Sequence, residues 1–257
     1  MTKTNTIKRA KWKPTDNRFV AFLDILGFKD LVMRKSHNEI YDQLSAISKT
    51  KKLLESWTNN EKILEKCGDA EINIVNFSDS IVVFSKNDDE GNFKYFLMAI
   101  RWLFAKTIAN GIPLKGGFAH GNVSVNQSEQ IYFGQAIIDA YLMEGEVNYF
   151  GIVAHNSIED YIANQIENLD AKFLESALFE IKTPLKSGLI NHTNVNWFSK
   201  LYTQTDGLND DEVVELIVSR IKNFKRNTSG SPRKYIDNTL SVLAKLDNTN
   251  IVFRKNN

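Results

Sequence analysis

Apolar positions along the chain change period several times, and each change marks an element. Arg18 to Ile25 carries Phe19, Val20, Phe22 and Ile25 in a run rich in aromatic and branched residues, which predicts a strand closed by Gly27. From Leu31 to Thr50 the spacing becomes three and four residues (Ile40, Leu44, Ile47), which predicts a helix, with Lys51 to Lys66 extending or following it. Glu71 to Phe77 and Ile81 to Phe84 are two short apolar runs around Ser78-Asp79-Ser80, the composition of a hairpin turn. Asn92 to Ala109 has the strongest helical pattern. Pro113 to Val125 follows as a strand containing Gly116, Gly117 and Gly121, positions that suggest bulges or a close backbone approach.

Helical spacing returns from Gly134 to Glu144, then a short buried-type strand is expected over Phe150 to Ala154. Ile158 to Leu178 reads as largely helical and Leu185 to Trp197 as extended. Two closing helices are expected near Asp210 to Phe224 and Arg233 to Lys245, with Ser231 able to cap the second and Pro232 at its first position. No repeat or low-complexity block interrupts this order. The alternation points to an α+β domain, a mostly antiparallel sheet covered by helices on one side. Three segments are expected: a basic tail over residues 1–17, a domain over 18–200, and a helical extension over 201–257 packed on the same body.

Composition narrows the function. Of 257 residues, 32 are Lys or Arg and 31 Asp or Glu, so the formal net charge is +1, without the basic surplus of a dedicated nucleic-acid binder. The single cysteine, Cys67, rules out a disulfide framework and a zinc ribbon and suits a reducing cytoplasm. The most apolar run, Leu97 to Ala105, is broken by Arg101 and is far shorter than the ~20 residues a membrane-crossing helix needs. Met1 to Lys13 holds five Lys or Arg with no apolar stretch behind them, which reads as a solvated tail rather than a secretory signal, with a polyanion-binding arm as the other reading.

Common short motifs are missing: there is no phosphate loop, HExxH, paired CxxC or GxSxG, and the four histidines are scattered. His120, on a strand between apolar neighbours, reads as a hydrogen-bonded structural residue. Two aspartates stand out. Asp24 lies in an apolar strand end, Phe22-Leu23-Asp24-Ile25-Leu26-Gly27-Phe28, and Asp79 lies at the hairpin tip. A charge within an apolar strand is costly unless it is paired or on a metal. If the first strand is central and the hairpin lies beside it, the two carboxylates meet at one sheet edge, as a two-metal site requires. The turn from Gly27 to Lys29 would then offer backbone N–H groups to anions. On pattern alone a second reading also stands, in which Asp24 caps a helix and Asp79 makes a turn.

A family resemblance bears on that choice. Phe22-x-Asp24-Ile25-x-Gly27-Phe28 resembles the opening motif of class III nucleotidyl cyclases, and Asn76-Phe77-Ser78-Asp79-Ser80 resembles the family's second metal-binding hairpin, with Ser78 where Gly is usual. Leu114-Lys115-Gly116-Gly117-Phe118-Ala119-His120-Gly121 is similar to its Arg-x-Gly strand, with Lys in the Arg place. Tyr132-Phe133-Gly134-Gln135-Ala136 is similar to the segment that leads into its dimer-interface helix. The four segments occur in order over roughly residues 19–155. Where purine cyclases read the base with Lys and Asp, this chain has Val75 and Ile131. Where they place a transition-state Asn and Arg, it has Ile138 and Leu142. Ala140-Tyr141-x-x-Glu144 instead looks like the helix of bacterial anti-phage pyrimidine cyclases of the Pycsar type.

The resemblance implies a ferredoxin-like, palm-type cyclase domain in a head-to-tail homodimer that makes cyclic UMP or cyclic CMP from UTP or CTP. It implies two divalent ions, Mn²⁺ or Mg²⁺, held by Asp24, Asp79 and the Ile25 carbonyl, and a separate effector that senses the product. Leu26, Gly27, Phe28 and Lys29 are then candidates for the phosphates, Lys115 for the substrate, and Asn76, Ser78 and Gln135 for the base. A cyclase fold that binds nucleotide without turnover is the alternative, and neither nucleic acid nor membrane is expected as a partner.

Overall fold

A computed structural model describes residues 11–165, 167–201 and 210–247. In chain order its strands are β1 (Thr15–Ile25), β2 (Ile72–Phe77), β3 (Ser80–Ser85), β4 (Leu114–Asn126), β5 (Ile131–Gly134), β6 (Ile152–Ala154), β7 (Leu178–Leu185) and β8 (Gly188–Val195). The helices are α1 (Phe28–Arg34), α2 (His37–Ser56), α3 (Glu61–Cys67), α4 (Glu90–Ala109), α5 (Gln135–Glu146), α6 (Asn156–Gln165), α7 (Ala171–Ala177), α8 (Phe198–Leu201), α9 (Asp210–Asn223) and α10 (Arg233–Asp247).

Among the described residues the strands form one eight-stranded sheet in the order β2-β3-β1-β4-β6-β8-β7, with β5 paired to the far end of β4. The β4–β6 pair is parallel and the other pairs are antiparallel. The result is an α+β fold with the mostly antiparallel sheet that the sequence pattern predicts.

Alternation along β1 sorts its side chains to two faces. Phe19, Ala21, Leu23 and Ile25 enter the main core, where α4 contributes Phe93, Phe96, Ile100 and Phe104. Val20 and Phe22 face a second, smaller cluster with Phe84, Ala119 and Val123, closed by Ala136 and Ala140 of α5. Helices therefore cover both faces rather than one. The main face is covered along its length, whereas the described residues put α5 alone, over β1 and β4, on the other.

Glycine makes that placement possible. A Cβ on Gly117 would collide with the Ala140 carbonyl and lie 2.6 Å from the Glu144 amide, so the helix can sit directly on β4 only because that position carries no side chain.

Two local differences from the sequence pattern have clear causes. The helix expected over Leu31 to Thr50 is two helices: Lys35 is extended, and Ser36 opens α2 with a capping box in which Glu39 accepts from the Ser36 amide at 2.9 Å. Leu185 to Trp197 contains the second strand of a hairpin whose first strand, β7, starts at Leu178, a residue the helical pattern had absorbed. α10 begins at Arg233, where the sequence pattern places the closing helix, with Pro232 just before its first position rather than in it. The basic N-terminal stretch lies, through residue 10, outside the described residues, as do 202–209 and 248–257 of the expected extension. Of that extension, Ile217, Ile221, Ile236, Val242, Leu243 and Leu246 are buried in the main core.

Candidate active site

Asp24 occupies the last turn of β1 before the chain leaves the sheet, opposite Ser80 of β3 and Lys115 of β4. Asp79 lies in the two-residue turn between β2 and β3. The Ile25 amide donates to the Asp79 carbonyl at 2.9 Å, which ties the hairpin tip to the end of β1. Ser78 adopts a left-handed backbone conformation, φ 56°, the geometry for which glycine is the usual residue. Gly27, φ 73°, turns the chain out of β1 and α1 starts at Phe28. Strand end, hairpin tip and helix start thus converge.

The cross-strand register places Phe77, Ser80, Asp24 and Lys115 in one row on the α5 face of the sheet. Lys115 is buried there, its ammonium 2.6 Å from the Glu144 carboxylate and donating to the Glu144 carbonyl at 2.9 Å. Burial first, then repulsion from Glu144 and Asp79, pushes the Asp24 carboxyl up to about 6, with Lys115 opposing. Negative charge is therefore concentrated at this sheet edge beyond what Lys115 compensates.

Two carboxylates and the Ile25 carbonyl at the same strand end are hard oxygen donors, the set that suits Mg²⁺ or Mn²⁺, and a cation would relieve the crowding that raises Asp24. Among the described residues no three His, Cys, Asp or Glu side chains form a metal-holding group, so a backbone oxygen would have to complete the set.

The other sequence candidates are spread more widely. Leu26 to Lys29 lie at the site, with the Leu26 amide donating to the Pro113 carbonyl. Lys115 is adjacent to Asp24, but its ammonium is engaged by Glu144. Asn76 pairs with Ile81 and by alternation faces away from Asp24, while Val75 shares the Asp24 face. Gln135 begins α5 and its side chain donates to Asp139 at 2.7 Å. Ile131 pairs with Asn126 at the opposite end of β4 from Lys115, roughly 35 Å along the strand. His120 bonds Asp88 at 3.0 Å and packs at a tilt against the rings of Phe19 and Tyr161 on the main-core side of the sheet, a structural setting.

Sequence reasoning passed over Glu144 as a member of the site. The signal was available: with Ala136, Ala140 and Met143 it forms the buried stripe of α5, and an acid in such a stripe calls for a partner. The Lys186 amide of the β7–β8 turn donates to the Glu146 carbonyl at the end of α5, and Asn238 of α10 donates to the Asn148 carbonyl just beyond it, tertiary packing that no local pattern announces.

A scan against protein-family models finds no match, and a search of curated proteins finds none. Among solved structures the chain is similar to the catalytic core of a rhodopsin-guanylyl cyclase with converted specificity in complex with ATPαS, with 16% identity over 71% of this chain and 97% of that one and a TM-score of 0.46. It is also similar to a bacterial light-regulated adenylyl cyclase, with 12% identity over 81% of this chain and 100% of that one and a TM-score of 0.45. An adenylyl cyclase from P. aeruginosa has 14% identity over 70% of this chain and 94% of that one, with a TM-score of 0.40.

Proposed function

We propose that the chain is a class III nucleotidyl cyclase that converts a pyrimidine nucleoside triphosphate, UTP or CTP, into its 3′,5′-cyclic monophosphate and pyrophosphate. The observation that carries this reading is the meeting of Asp24 and Asp79 at one sheet edge, tied by the bond from the Ile25 amide to the Asp79 carbonyl. The same residues carry the motif resemblance.

Asp24, Asp79 and the Ile25 carbonyl would hold two divalent ions. When bound, such ions supply Lewis acidity that lowers the pKa of a ribose hydroxyl and offsets the triphosphate charge. The turn amides from Gly27 to Lys29 would orient phosphate oxygens, the Leu26 amide being already bonded to the Pro113 carbonyl. Glu144 fixes Lys115 beside Asp24. The 3′-oxygen loses its proton to solvent and attacks the α-phosphorus. The bond from that phosphorus to the bridging oxygen breaks, and pyrophosphate leaves with the electron pair.

Val75 and Ile131 support a pyrimidine. A purine edge beside apolar side chains would leave its donors and acceptors unpaired, at about 1–3 kcal/mol each. UTP is favoured over CTP on the resemblance alone.

Asp24 and Ile131 lie at opposite ends of β4, so a site that uses both is shared between two copies. The half-covered sheet face suits this, because exposed Phe77 lies near one end, exposed Phe133 near the other, and Ile138, Tyr141 and Leu142 between them. A two-fold axis pairs one copy's Phe77 end with its partner's Phe133 end. A monomer in light scattering that is still fully active would exclude this assembly. The product would act in the cytoplasm as a second messenger in anti-phage defence, read by a separate effector; that part rests on the resemblance.

Ile138 and Leu142, where purine cyclases carry Asn and Arg, favour a second reading: a nucleotide-binding regulator without turnover. One assay separates the two. Incubation with each of the four nucleoside triphosphates and Mn²⁺ should yield cyclic UMP or cyclic CMP, lost in Asp24→Asn and Asp79→Asn. Nucleotide binding with no cyclic product under any condition supports the regulator, near-wild-type turnover in both variants sinks the two-aspartate site, and faster cyclisation of ATP sinks the pyrimidine assignment.

A further inference from the structure

Among the described residues Phe77 is the most exposed large apolar side chain, and it belongs to neither buried cluster. It ends β2 two residues before Asp79, and alternation sends it to the α5 face of the sheet together with Val75. Ser80 lies directly opposite Phe77, and Asp24 lies directly opposite Ser80. The ring and the carboxylate therefore stand in one cross-strand row, two strand spacings or roughly 10 Å apart. The bond from the Ile25 amide to the Asp79 carbonyl, 2.9 Å, ties the hairpin tip to β1 and holds that separation.

The neighbouring row is apolar: Val75, Val82 and Phe22 pair across the same three strands. Tyr141 of α5 meets Phe22 edge-on, with ring centroids 5.2 Å apart, so the helix bounds this surface on the β1 side. Phe77 bounds it on the β2 side. Between the two aromatic residues runs a half-buried floor of Ser80, Val82 and Val75. This surface has two chemically distinct ends, an acidic one at Asp24 and a flat apolar one at Phe77. A metal-bound nucleotide has the matching polarity, with its phosphates at one end, its planar base at the other and its ribose between.

We propose that the Phe77 ring is the stacking platform for the base of a nucleotide whose phosphates lie at Asp24 and Asp79. The inference rests on the cyclase reading for the nucleotide itself and adds the residue that holds its base. Every base has a π-face, so stacking supplies affinity without choosing between bases. That choice is left to the residues around the base edge. A second copy laid on this sheet face would close over a base already seated on the ring.

The test compares Phe77→Leu, which keeps an apolar side chain but removes the π-face, with Phe77→Trp, which restores one. Calorimetry on the full chain with Mn²⁺ uses the α,β-methylene analogues of UTP and CTP, which cannot release pyrophosphate, and inorganic tripolyphosphate, which has no base. Phe77→Leu should weaken both analogues about tenfold, within the range of base–aromatic stacking, and leave tripolyphosphate binding at the wild-type level. The KM of the nucleotide that is cyclised should rise by the same factor, and Phe77→Trp should restore both. The melting temperature should not move, because the ring is exposed. Wild-type analogue binding by Phe77→Leu overturns the proposal, as does an equal loss of tripolyphosphate binding or a wild type that binds neither analogue. A loss matched by dissociation of the dimer in light scattering also overturns it, since Phe77 would then act only as an interface contact. A wild type that binds the analogues through Phe77 but makes no cyclic product upholds the proposal and overturns the cyclase reading. Cyclisation with an unchanged KM in Phe77→Leu does the reverse.

Discussion

Asp24→Asn should make the protein more stable and inactive at once. The carboxyl is displaced from 3.8 to about 6 by burial and by Glu144 and Asp79, so near neutral pH the folded state carries a charge that its surroundings oppose. At ~1.4 kcal/mol per pH unit the full linkage value is about 3 kcal/mol. The side chain is only half-buried, and solvent screening reduces this to about 1–2 kcal/mol. For a chain of this length that corresponds to a rise of roughly 2–4 °C in melting temperature.

The pH dependence fixes the sign. The folded state binds this proton more tightly than the unfolded state, so the penalty is complete above about 6 and disappears below 3.8. The advantage of Asp24→Asn should therefore be largest at pH 7 to 8 and shrink as the pH falls through that window. Differential scanning calorimetry of both proteins across this range, without divalent ions and then with MnCl₂, is the assay. Mn²⁺ should raise the wild-type melting temperature and leave the variant's unchanged. A variant less stable than wild type at pH 7.5, or an advantage that grows on acidification, would refute the account of a crowded carboxylate.

Further substitutions test the support around the site. Lys115→Met strands the Glu144 carboxylate in the interior and should cost about 3–5 kcal/mol in urea denaturation, much of it recovered when Glu144→Leu is added. Gly117→Ala sets a methyl group against the Ala140 carbonyl and should cost about 1–3 kcal/mol in the same measurement while lowering activity, because the displaced helix carries Glu144. Ser78→Gly relieves the left-handed conformation at φ 56° and should raise stability by about 1 kcal/mol with the hairpin intact; a loss of stability would mean that the serine side chain earns its place there.

The elements most legible in the sequence were those that carry their own period. β1, the β2–β3 hairpin, α4 and β4 fall within a few residues of their expected bounds because alternation or helical spacing runs unbroken through them. α1 and α2 merged in the pattern because their break rests on a capping box, Ser36 with Glu39, that sits inside an otherwise helical run. β7 was hidden because Leu178 continues the helical spacing of α7 while pairing with Val195, a partner distant in sequence. The site divides in the same way. Asp24 and Asp79 each violate a local pattern and so could be noticed, whereas the Lys115–Glu144 pair exists only once α5 is laid on Gly117.

That placement also explains why one face of the sheet remains half open. α5 can approach β4 closely where Gly117 and Ala140 meet, but β2 and β3 offer it Val75, Phe77 and Val82, whose side chains would hold a helix away. Phe77 is left 82% exposed and Leu142 59% exposed, an apolar surface that is costly in water. The row that ends in Phe77 is the row that contains Asp24. A second copy covering those side chains would also close over the aspartate, so burial of this surface and completion of the site become one event. Activity should then fall on dilution in step with dissociation of the dimer, and an activity per chain that stays constant below the dissociation constant would break that link.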